Sequence, residues 1–141
     1  MIPGGFSEAT ISSLNVDRVF LRERKGFVKY ALKYGYSLTP CYIFHESGLY
    51  WNLQGIWGPR LWLNRFGIPG VVPFGRWSCF FLPRNEHLNI VVGRALNLPR
   101  IEKPTREQVA EYHEKYVLTL IDLFNRHKAS YGKAQSTLEI W

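Results

Sequence analysis

The chain has 141 residues and a mass of 16.5 kDa, which is enough for one domain with a substantial hydrophobic core. Hydrophobic residues make up 46% of the sequence and charged residues 21%, a composition that excludes a disordered chain. Eighteen Lys and Arg residues against eleven Asp and Glu residues give a net charge of +7, which favours anionic partners (phosphate groups, anionic lipid or nucleic acid) without choosing among them.

The first predicted elements are a loop, a short strand and a helix. Residues 1–15 are rich in glycine and serine, and we expect them to form a loop that contains Glu8. Residues 16–21 can form a short strand, and residues 24–34 lack proline and are rich in good helix formers. Gly35 follows at the position of a left-handed helix cap, because glycine adopts positive φ without a Cβ clash.

The middle of the chain combines predicted strands with an irregular aromatic segment. Residues 38–44 form a short apolar run typical of a strand covered on both faces, and with the preceding strand and helix they predict a right-handed β-α-β unit. Residues 49–83 show no clean period, contain four of the five tryptophans and are interrupted by many Gly and Pro residues. Residues 88–92 predict another strand, with residues 94–98 as a candidate extension beyond Gly93.

The last predicted element is a long helix. Thr105 and Gln108 fit a capping box at its start. From Val109 to Phe124 apolar residues recur at steps of three and four, which predicts a C-terminal amphipathic helix that covers the sheet and stops by Gly132. Together these elements predict an α/β fold, with a partial sheet flanked by helices in a single domain.

Two features bear on location. No signal or transit peptide opens the sequence, and no uninterrupted apolar run approaches the roughly 18–20 residues of a spanning helix, so we expect any membrane contact to be interfacial. Cys41 and Cys79 are the two cysteines, and Cys41 lies in the strand that we expect to be buried. A reduced pair in a cytosol-facing protein is therefore favoured over a disulfide.

Several short motifs occur in a fixed order over nearly the whole chain. They are Gly4-Gly5-x-x-Glu8, Arg24-Lys25-Gly26-Phe27-Val28-Lys29, Gly35-x-x-Leu38-x-Pro40, Phe44-x-Glu46, Val92-Gly93 before Leu98-Pro99, and Tyr112-His113-x-x-Tyr116. A lone Gly-Gly-x-x-Glu motif is a weak signal, but the ordered set is specific. It resembles the type-2 diacylglycerol acyltransferase family, which includes the monoacylglycerol and wax-alcohol acyltransferases.

The resemblance implies a reaction and a location. A fatty acyl group would pass from acyl-CoA to a hydroxyl group of diacylglycerol, forming triacylglycerol, at the cytosolic face of the endoplasmic reticulum membrane. Acyl-CoA would serve as a cosubstrate, with no cofactor and no metal. Monoacylglycerol and wax alcohols stay open as alternative acceptors.

The chain also departs from the family pattern. Family members carry a His-Pro-His-Gly block with the histidine assigned to catalysis, well upstream of the Gly-Gly-x-x-Glu motif, whereas here that motif begins at Gly4 and the first histidine is His45. We therefore expect the chain to correspond to the C-terminal part of a single acyltransferase domain and to have little activity by itself. His45 and Trp77 stand where glycine is usual, so we expect the local backbone path to be affected there.

The candidate site combines a glycine-rich motif with basic residues. The candidate substrate-binding residues are Gly4, Gly5, Glu8, Arg22, Arg24, Lys25 and Glu46. Adjacent glycines let a ligand approach the backbone, and Glu8 can orient an acceptor hydroxyl or a partner arginine. The basic residues can bind CoA phosphates or lipid headgroups beside a helix N-terminus, or can be a solvated face. No catalytic residue is assigned to this chain; the histidine considered as a candidate base is His45, next to Glu46 at a strand end.

Two other function classes compete with acyl transfer. One is a non-catalytic membrane-surface lipid-binding module or partner subunit, which the missing base favours. Residues 49–83 also favour it, because Trp and Phe interleave there with Arg as in an interfacial belt. The alternative interpretation of this segment is a soluble core. A nucleic-acid binder is disfavoured, because the basic run and the aromatic residues occupy separate segments.

Overall fold

The computed structural model describes residues 1–14 and 16–141 and shows a mixed α/β fold. Within these residues four α-helices alternate with six short strands, which pair into three two-stranded sheets. The elements are α1 (Gly5–Ile11), β1 (Asp17–Val19), α2 (Gly26–Tyr34), β2 (Cys41–Phe44), β3 (Trp51–Asn52), α3 (Trp57–Asn64), β4 (Pro73–Phe74), β5 (Asn89–Val92), α4 (Arg106–His127) and β6 (Leu138–Ile140).

The N-terminal segment is not the loop that its composition predicts, because α1 occupies much of it. A helix of seven residues is too short to be stable by itself, so tertiary contacts must hold it. Thr10 and Ile11 are fully buried, and the Thr10 hydroxyl donates to the Phe6 carbonyl at 2.8 Å. Asn15, the last residue of the predicted loop, lies outside the described residues.

The strand pairing differs from the predicted β-α-β unit. β1 pairs in parallel with β6 from the far end of the chain, whereas β2 pairs antiparallel with β5. The carbonyl oxygen of Trp141 accepts hydrogen bonds from the N–H groups of Leu21 and Arg22, which extends the contact between β1 and β6. The predicted β-α-β unit is therefore wrong, because β1 and β2 take their partners from distant parts of the sequence.

Most predicted elements are present with shorter limits. α2 begins at Gly26 and ends at Tyr34, and the cap residue Gly35 has the predicted left-handed conformation with φ of 70°. β2 begins at Cys41, and Leu38 contributes only an isolated bridge to Leu96. The strand predicted over residues 88–92 is β5.

Helix α4 starts with the predicted capping box. The Thr105 hydroxyl accepts from the Gln108 N–H at 3.2 Å, and the Gln108 side-chain oxygen accepts from the Thr105 N–H at 3.0 Å. Past α4 a short 3₁₀ turn leads to Gly132, which takes positive φ, and the chain then returns as β6.

The main core lies between α4 and one face of the β2–β5 sheet. Phe44 and Phe124 are fully buried, and their rings stack with centroids 5.5 Å apart. A second cluster joins α2 to α4 through Val28, Leu32 and Val109. Burial of such apolar side chains contributes about 1.5–3 kcal/mol each relative to exposure.

The other face of β2 is not covered, which corrects a second prediction. Tyr42 and Phe44 point into the core, but Cys41 is exposed because α4 covers only one face of this sheet. Cys41 and Cys79 are both free thiols, in agreement with the predicted reduced pair.

Candidate functional site

A cavity of about 740 Å³ lies between α1, β1, β2 and both ends of the aromatic segment. Ligand sites for small molecules typically measure about 300–1,000 Å³. Its lining includes Gly5 and Glu8 from α1 together with Glu46, which follows β2. Three of the candidate substrate-binding residues therefore meet at one cavity, and Glu46 is 38 positions away from Glu8 in the sequence.

The geometry of α1 explains the spacing of the Gly-Gly-x-x-Glu motif. A Cβ atom at Gly4 would overlap the Glu8 side chain, so any larger residue there would displace Glu8. Gly5 has φ of +56°, a conformation that favours glycine. Glu8 Oε2 accepts a hydrogen bond from the Phe20 N–H at 3.0 Å, which fixes the carboxyl group. The motif thus builds a defined position for one carboxyl group.

The two glutamates at the cavity hold protons more readily than exposed glutamates. Burial raises the pKa of Glu8 above its ordinary value; the Phe20 N–H opposes this effect, and the charge of Glu46 adds to it. Glu46 is exposed as a whole, but its carboxyl group is partly desolvated at the cavity. This desolvation raises the pKa of Glu46. Such environments are common at functional sites.

A buried acid that the sequence did not suggest also lines the cavity. Asp17 is 3% exposed; it accepts from the Tyr42 hydroxyl at 2.9 Å and pairs with Lys133 Nζ at 3.3 Å. Burial, followed by the Asp17 charge, raises the pKa of Tyr42, so its hydroxyl stays protonated. No local pattern could reveal this cluster, because Lys133 is 116 residues from Asp17 along the chain.

The remaining lining is largely apolar, and its charges are mainly negative. Among the described lining residues three are acidic and one, Arg18, is basic. Arg18 already pairs with Glu139 at 2.7 Å. The apolar side chains include Val19, Ile43, Leu49, Val71, Phe80 and Leu120. This lining suits a neutral, partly apolar molecule that carries a hydroxyl group.

The basic candidates lie apart from the cavity. Arg22, Arg24 and Lys25 are exposed, and Arg22 lines a separate groove beside Trp141. An Arg24 Nη2 donates to the Ser7 hydroxyl at 3.1 Å, which ties the start of α2 to α1. Arg24 therefore contacts the motif at Ser7 and not at Glu8. Among the described residues Glu8 has no arginine partner.

All four histidines are among the described residues, and none of them lines the cavity. His113 is buried, and its Nε2–H donates to the Leu21 carbonyl at 3.0 Å; burial lowers its pKa. His45 Nδ1 is buried with no partner among the described atoms. A catalytic role of His45 stays a hypothesis, and His45 does not line the cavity.

The two positions where the family usually has glycine keep a glycine-like backbone. His45 has φ of 69° and Trp77 has φ of 53°, both in the left-handed region that side chains other than glycine avoid. A side chain at each position is therefore held in a strained backbone conformation. The expected change of the local path relative to the family stays a prediction.

A polar clamp forms the wall of the cavity on the side of the aromatic segment. Asn52, which is 2% exposed, donates to the carbonyl oxygens of Ala9 and Thr10 at the end of α1. The Arg60 guanidinium donates to the Gly70 carbonyl at 2.6 Å and to Asn52 Oδ1 at 3.0 Å. These bonds attach β3, α3 and the segment before β4 to α1, and no periodic pattern in the sequence predicts them.

Comparison with known proteins gives one family. The family model described as "Diacylglycerol acyltransferase" matches residues 1–140. Diacylglycerol O-acyltransferase 2-like protein 6 of Mus musculus is 38% identical over 152 residues, covering 96% of this chain and 44% of the relative. Acyl-CoA wax alcohol acyltransferase 2 of Mus musculus is 37% identical, covering 96% of this chain and 44% of the relative. Diacylglycerol O-acyltransferase 2 of Bos taurus is 33% identical, with 94% and 40% covered.

The chain spans less than half the length of these relatives. No solved structure matches it significantly. Within the part of the chain that the structure describes, no helix combines the length and apolar character needed to cross a membrane.

Proposed function

The chain belongs to the diacylglycerol acyltransferase family, and on that premise we propose that it takes part in transfer of an acyl group from acyl-CoA to the hydroxyl group of diacylglycerol. The products would be triacylglycerol and free CoA. The observation that carries the proposal is the position of the Glu8 carboxyl group at a cavity with apolar walls.

The cavity is proposed as the site of the lipid acceptor. Diacylglycerol carries no net charge, one free hydroxyl group and two apolar chains. Its chains fit the apolar wall formed by Leu49, Val71 and Phe80, and its hydroxyl group can donate to a carboxylate oxygen of Glu8 or Glu46. A hydrogen bond to a charged group contributes about 1.5–3 kcal/mol, enough to orient the hydroxyl group for reaction.

Charge separates the two proposed substrates. The phosphate groups of acyl-CoA would be disfavoured by the carboxyl groups of Glu8 and Glu46 at the cavity, which have no basic partner among the described residues. The exposed basic residues Arg22, Arg24 and Lys25 offer a more favourable place outside it. Only the acyl chain and the thioester would then enter the cavity.

The proton acceptor is proposed to come from outside this chain. Acyl transfer to an alcohol needs a base for the hydroxyl proton, and none of the described histidines lines the cavity. We therefore expect the 141-residue chain to show little transfer by itself. Robust transfer by the purified chain would place the base among its own residues and contradict this part of the proposal.

A chimeric enzyme tests the function directly. The chain replaces the matched part of diacylglycerol O-acyltransferase 2 of Bos taurus, and transfer of labelled oleoyl-CoA to diacylglycerol is measured. The chimera should be active, and Glu8→Gln should lower kcat/KM for diacylglycerol by about tenfold or more, because Gln is a weaker acceptor than a carboxylate. Glu114→Gln, an exposed replacement on α4, is the matched control. Equal activity of the two variants would show that Glu8 does not contribute to the site.

The proposed location is the cytosolic face of the endoplasmic reticulum membrane, where neutral glycerolipids are dissolved. Without a spanning helix in its described residues, the chain would contact this membrane at the surface.

A second candidate function, a membrane-surface lipid-binding module or partner subunit without activity of its own, is favoured by one observation. Trp77 is 80% exposed and Phe81 is 94% exposed, at a turn that projects from β4. The Arg76 guanidinium lies 4.6 Å from the Trp77 ring centre, so a cation accompanies the exposed aromatic residue. This combination is typical of residues that insert at a lipid headgroup layer.

Vesicle binding distinguishes this candidate. In co-sedimentation with anionic vesicles, the double variant Trp77→Asn with Phe81→Ser should bind less than the native chain. Tyr36→Ser, which removes an exposed aromatic residue from another part of the surface, should bind like the native chain. Equal binding by the two variants would show that the turn is not the contact.

A further inference from the structure

A second, smaller depression lies on the opposite side of the chain segment that follows β1. This groove, of about 340 Å³, is lined by Phe20, Arg22, Glu23, Ile140 and Trp141. Leu21 lines the acceptor cavity, while its neighbours Phe20 and Arg22 line the groove. Consecutive residues of one extended segment thus face two different sites, as side chains alternate along a strand.

We propose that this groove binds the adenine nucleotide part of acyl-CoA. The proposal rests on the proposed acyl transfer and adds to it a site for the cosubstrate, separate from the acceptor cavity. An adenine nucleotide presents a flat aromatic base, an exocyclic amino group and negatively charged phosphates. The groove offers a partner for each of these three features.

Aromatic rings form its walls. Phe20 and Trp141 are both half-buried, so part of each ring is open to the groove. Trp57 packs edge-on against Trp141 at 5.1 Å between centroids, and the Arg18 guanidinium lies 5.5 Å from the Trp141 ring centre. These contacts hold the indole in one orientation, and an aromatic ring held in this way is a suitable surface for stacking of a base.

The backbone of the groove is formed before any ligand arrives. The Trp141 N–H donates to the Val19 carbonyl at 2.9 Å, and the Trp141 carbonyl oxygen accepts from the N–H groups of Leu21 and Arg22. The pairing of β1 with β6 therefore fixes both walls relative to each other. Little ordering is needed on binding, which favours affinity.

Charged groups at the groove match the polar parts of the nucleotide. Arg22 Nη2 donates to the Ile140 carbonyl at 3.1 Å, which positions the guanidinium, and within residues 1–14 and 16–141 no carboxylate pairs with it. A phosphate can therefore take the remaining donors of Arg22, with Arg24 and Lys25 nearby in sequence. The Glu23 carboxylate would repel a phosphate but can accept from the amino group of adenine, which sets the direction of the nucleotide.

This arrangement would leave the thioester on a flexible arm. The pantetheine part of acyl-CoA is uncharged and would pass around the segment at Leu21 toward the cavity, where Glu8 holds the acceptor hydroxyl. Nucleotide and lipid would then bind to opposite sides of the same segment.

Titration of the full chain with free CoA tests the proposal. Arg22→Ala should raise the Kd of CoA by about tenfold, and Trp141→Ala should do the same, whereas Trp141→Phe should retain most of the affinity because it keeps an aromatic wall. Lys33→Ala, an exposed basic residue near the end of α2, is the control for loss of one positive charge. Arg22 is exposed, so its replacement is expected to leave the fold intact, as circular dichroism would verify.

Competition identifies the part of CoA that is bound. The nucleotide 3′-phosphoadenosine 5′-phosphate should displace CoA, and pantetheine should not. Displacement by pantetheine, native affinity of Arg22→Ala, or an equal loss in Lys33→Ala would each overturn the proposal. Failure of CoA binding together with normal acyl transfer to diacylglycerol in the chimera would reject this groove and leave the proposed function standing; binding of CoA without transfer would reject the function instead.

Discussion

Two regions of the molecule use the same kinds of residue in opposite ways. In the body formed by α2, α4, β2 and β5, aromatic side chains such as Phe44 and Phe124 are fully buried. In the segment of residues 49–83, Trp77 and Phe81 are mostly exposed, whereas the polar Asn52 and the charged Arg60 are buried. The first region is held by apolar packing and the second by a polar clamp.

The difference teaches that aromatic content alone does not locate a core. A buried guanidinium that donates to several carbonyl oxygens can hold an irregular segment in place, which frees its aromatic residues to face outward. Of the four described residues other than glycine that have positive φ, three (Ile56, Trp77 and Ser78) also lie in this segment. Strain and exposed apolar surface thus occur together on the side proposed to meet lipid.

The largest effect is expected in the body. Phe124→Ala should lower the free energy of unfolding by about 3–5 kcal/mol, because it leaves a cavity beside Phe44 and Tyr42. Leu118→Ala on the exposed face of the same helix should change it by less than about 0.5 kcal/mol. Urea denaturation measures both, and similar losses in the two variants would contradict the core described for α4.

A smaller and more local effect is expected at the clamp. Arg60→Ala should cost about 2–3 kcal/mol, because the carbonyl oxygen of Gly70 and the side chain of Asn52 lose a charged donor. Hydrogen exchange should accelerate in residues 53–72 while α4 stays protected. Arg65→Ala, an exposed neighbour, is the control. Equal loss of protection in α4 would show that the two regions do not differ in how they are held.

Relief of strain should stabilise the chain modestly. His45→Gly is expected to raise the free energy of unfolding by about 1 kcal/mol, since glycine tolerates φ of 69° and the buried Nδ1 without a partner is removed. His87→Gly, at an exposed position without positive φ, should not stabilise. Thermal unfolding of the two variants decides, and destabilisation by His45→Gly would mean that the imidazole makes a favourable contact.

The smallest effect is a pH dependence at the cavity between the two regions. Because the folded pKa of Glu8 is raised by burial, its contribution to stability is full below the ordinary value of 4.5 and is lost as the pH rises through the folded pKa. Glu8→Gln should therefore gain stability relative to the native chain as the pH rises through that window, and no gain should appear below it. The free energy of unfolding is measured across this pH range for Glu8→Gln and for the charge control Glu114→Gln. Parallel pH profiles of the two variants would contradict burial of the Glu8 carboxyl group.

The sequence predicts local features well and distant pairings poorly. Thr105 and Gln108 mark the start of α4, and Gly35 marks the end of α2, because caps depend on neighbouring residues. The pairing of β1 with β6 and the bond between Lys133 and Asp17 depend on residues more than 100 positions apart, which periodicity does not report.

The same limit applies to the candidate site. Glu8 and Glu46 were found from motifs and do meet at the cavity, whereas Asp17 and Tyr42 belong to no recognised motif. Nothing in the sequence around Arg60 indicates a buried cation, because its partners Gly70 and Asn52 are brought to it only by the fold. Helix α1 was missed because seven residues with two initial glycines have low helix propensity without tertiary contacts.

The most direct measurement is photolabelling of the full chain with a diazirine analogue of diacylglycerol, followed by mapping of the modified residues by mass spectrometry. The account predicts saturable labelling of cavity residues such as Leu49, Val71 and Phe80, displaced by unlabelled diacylglycerol and not by anionic phosphatidic acid, and reduced when Val71→Trp fills the cavity. Labelling confined to Trp77 and Phe81, or equal displacement by phosphatidic acid, would contradict a neutral acceptor site at Glu8.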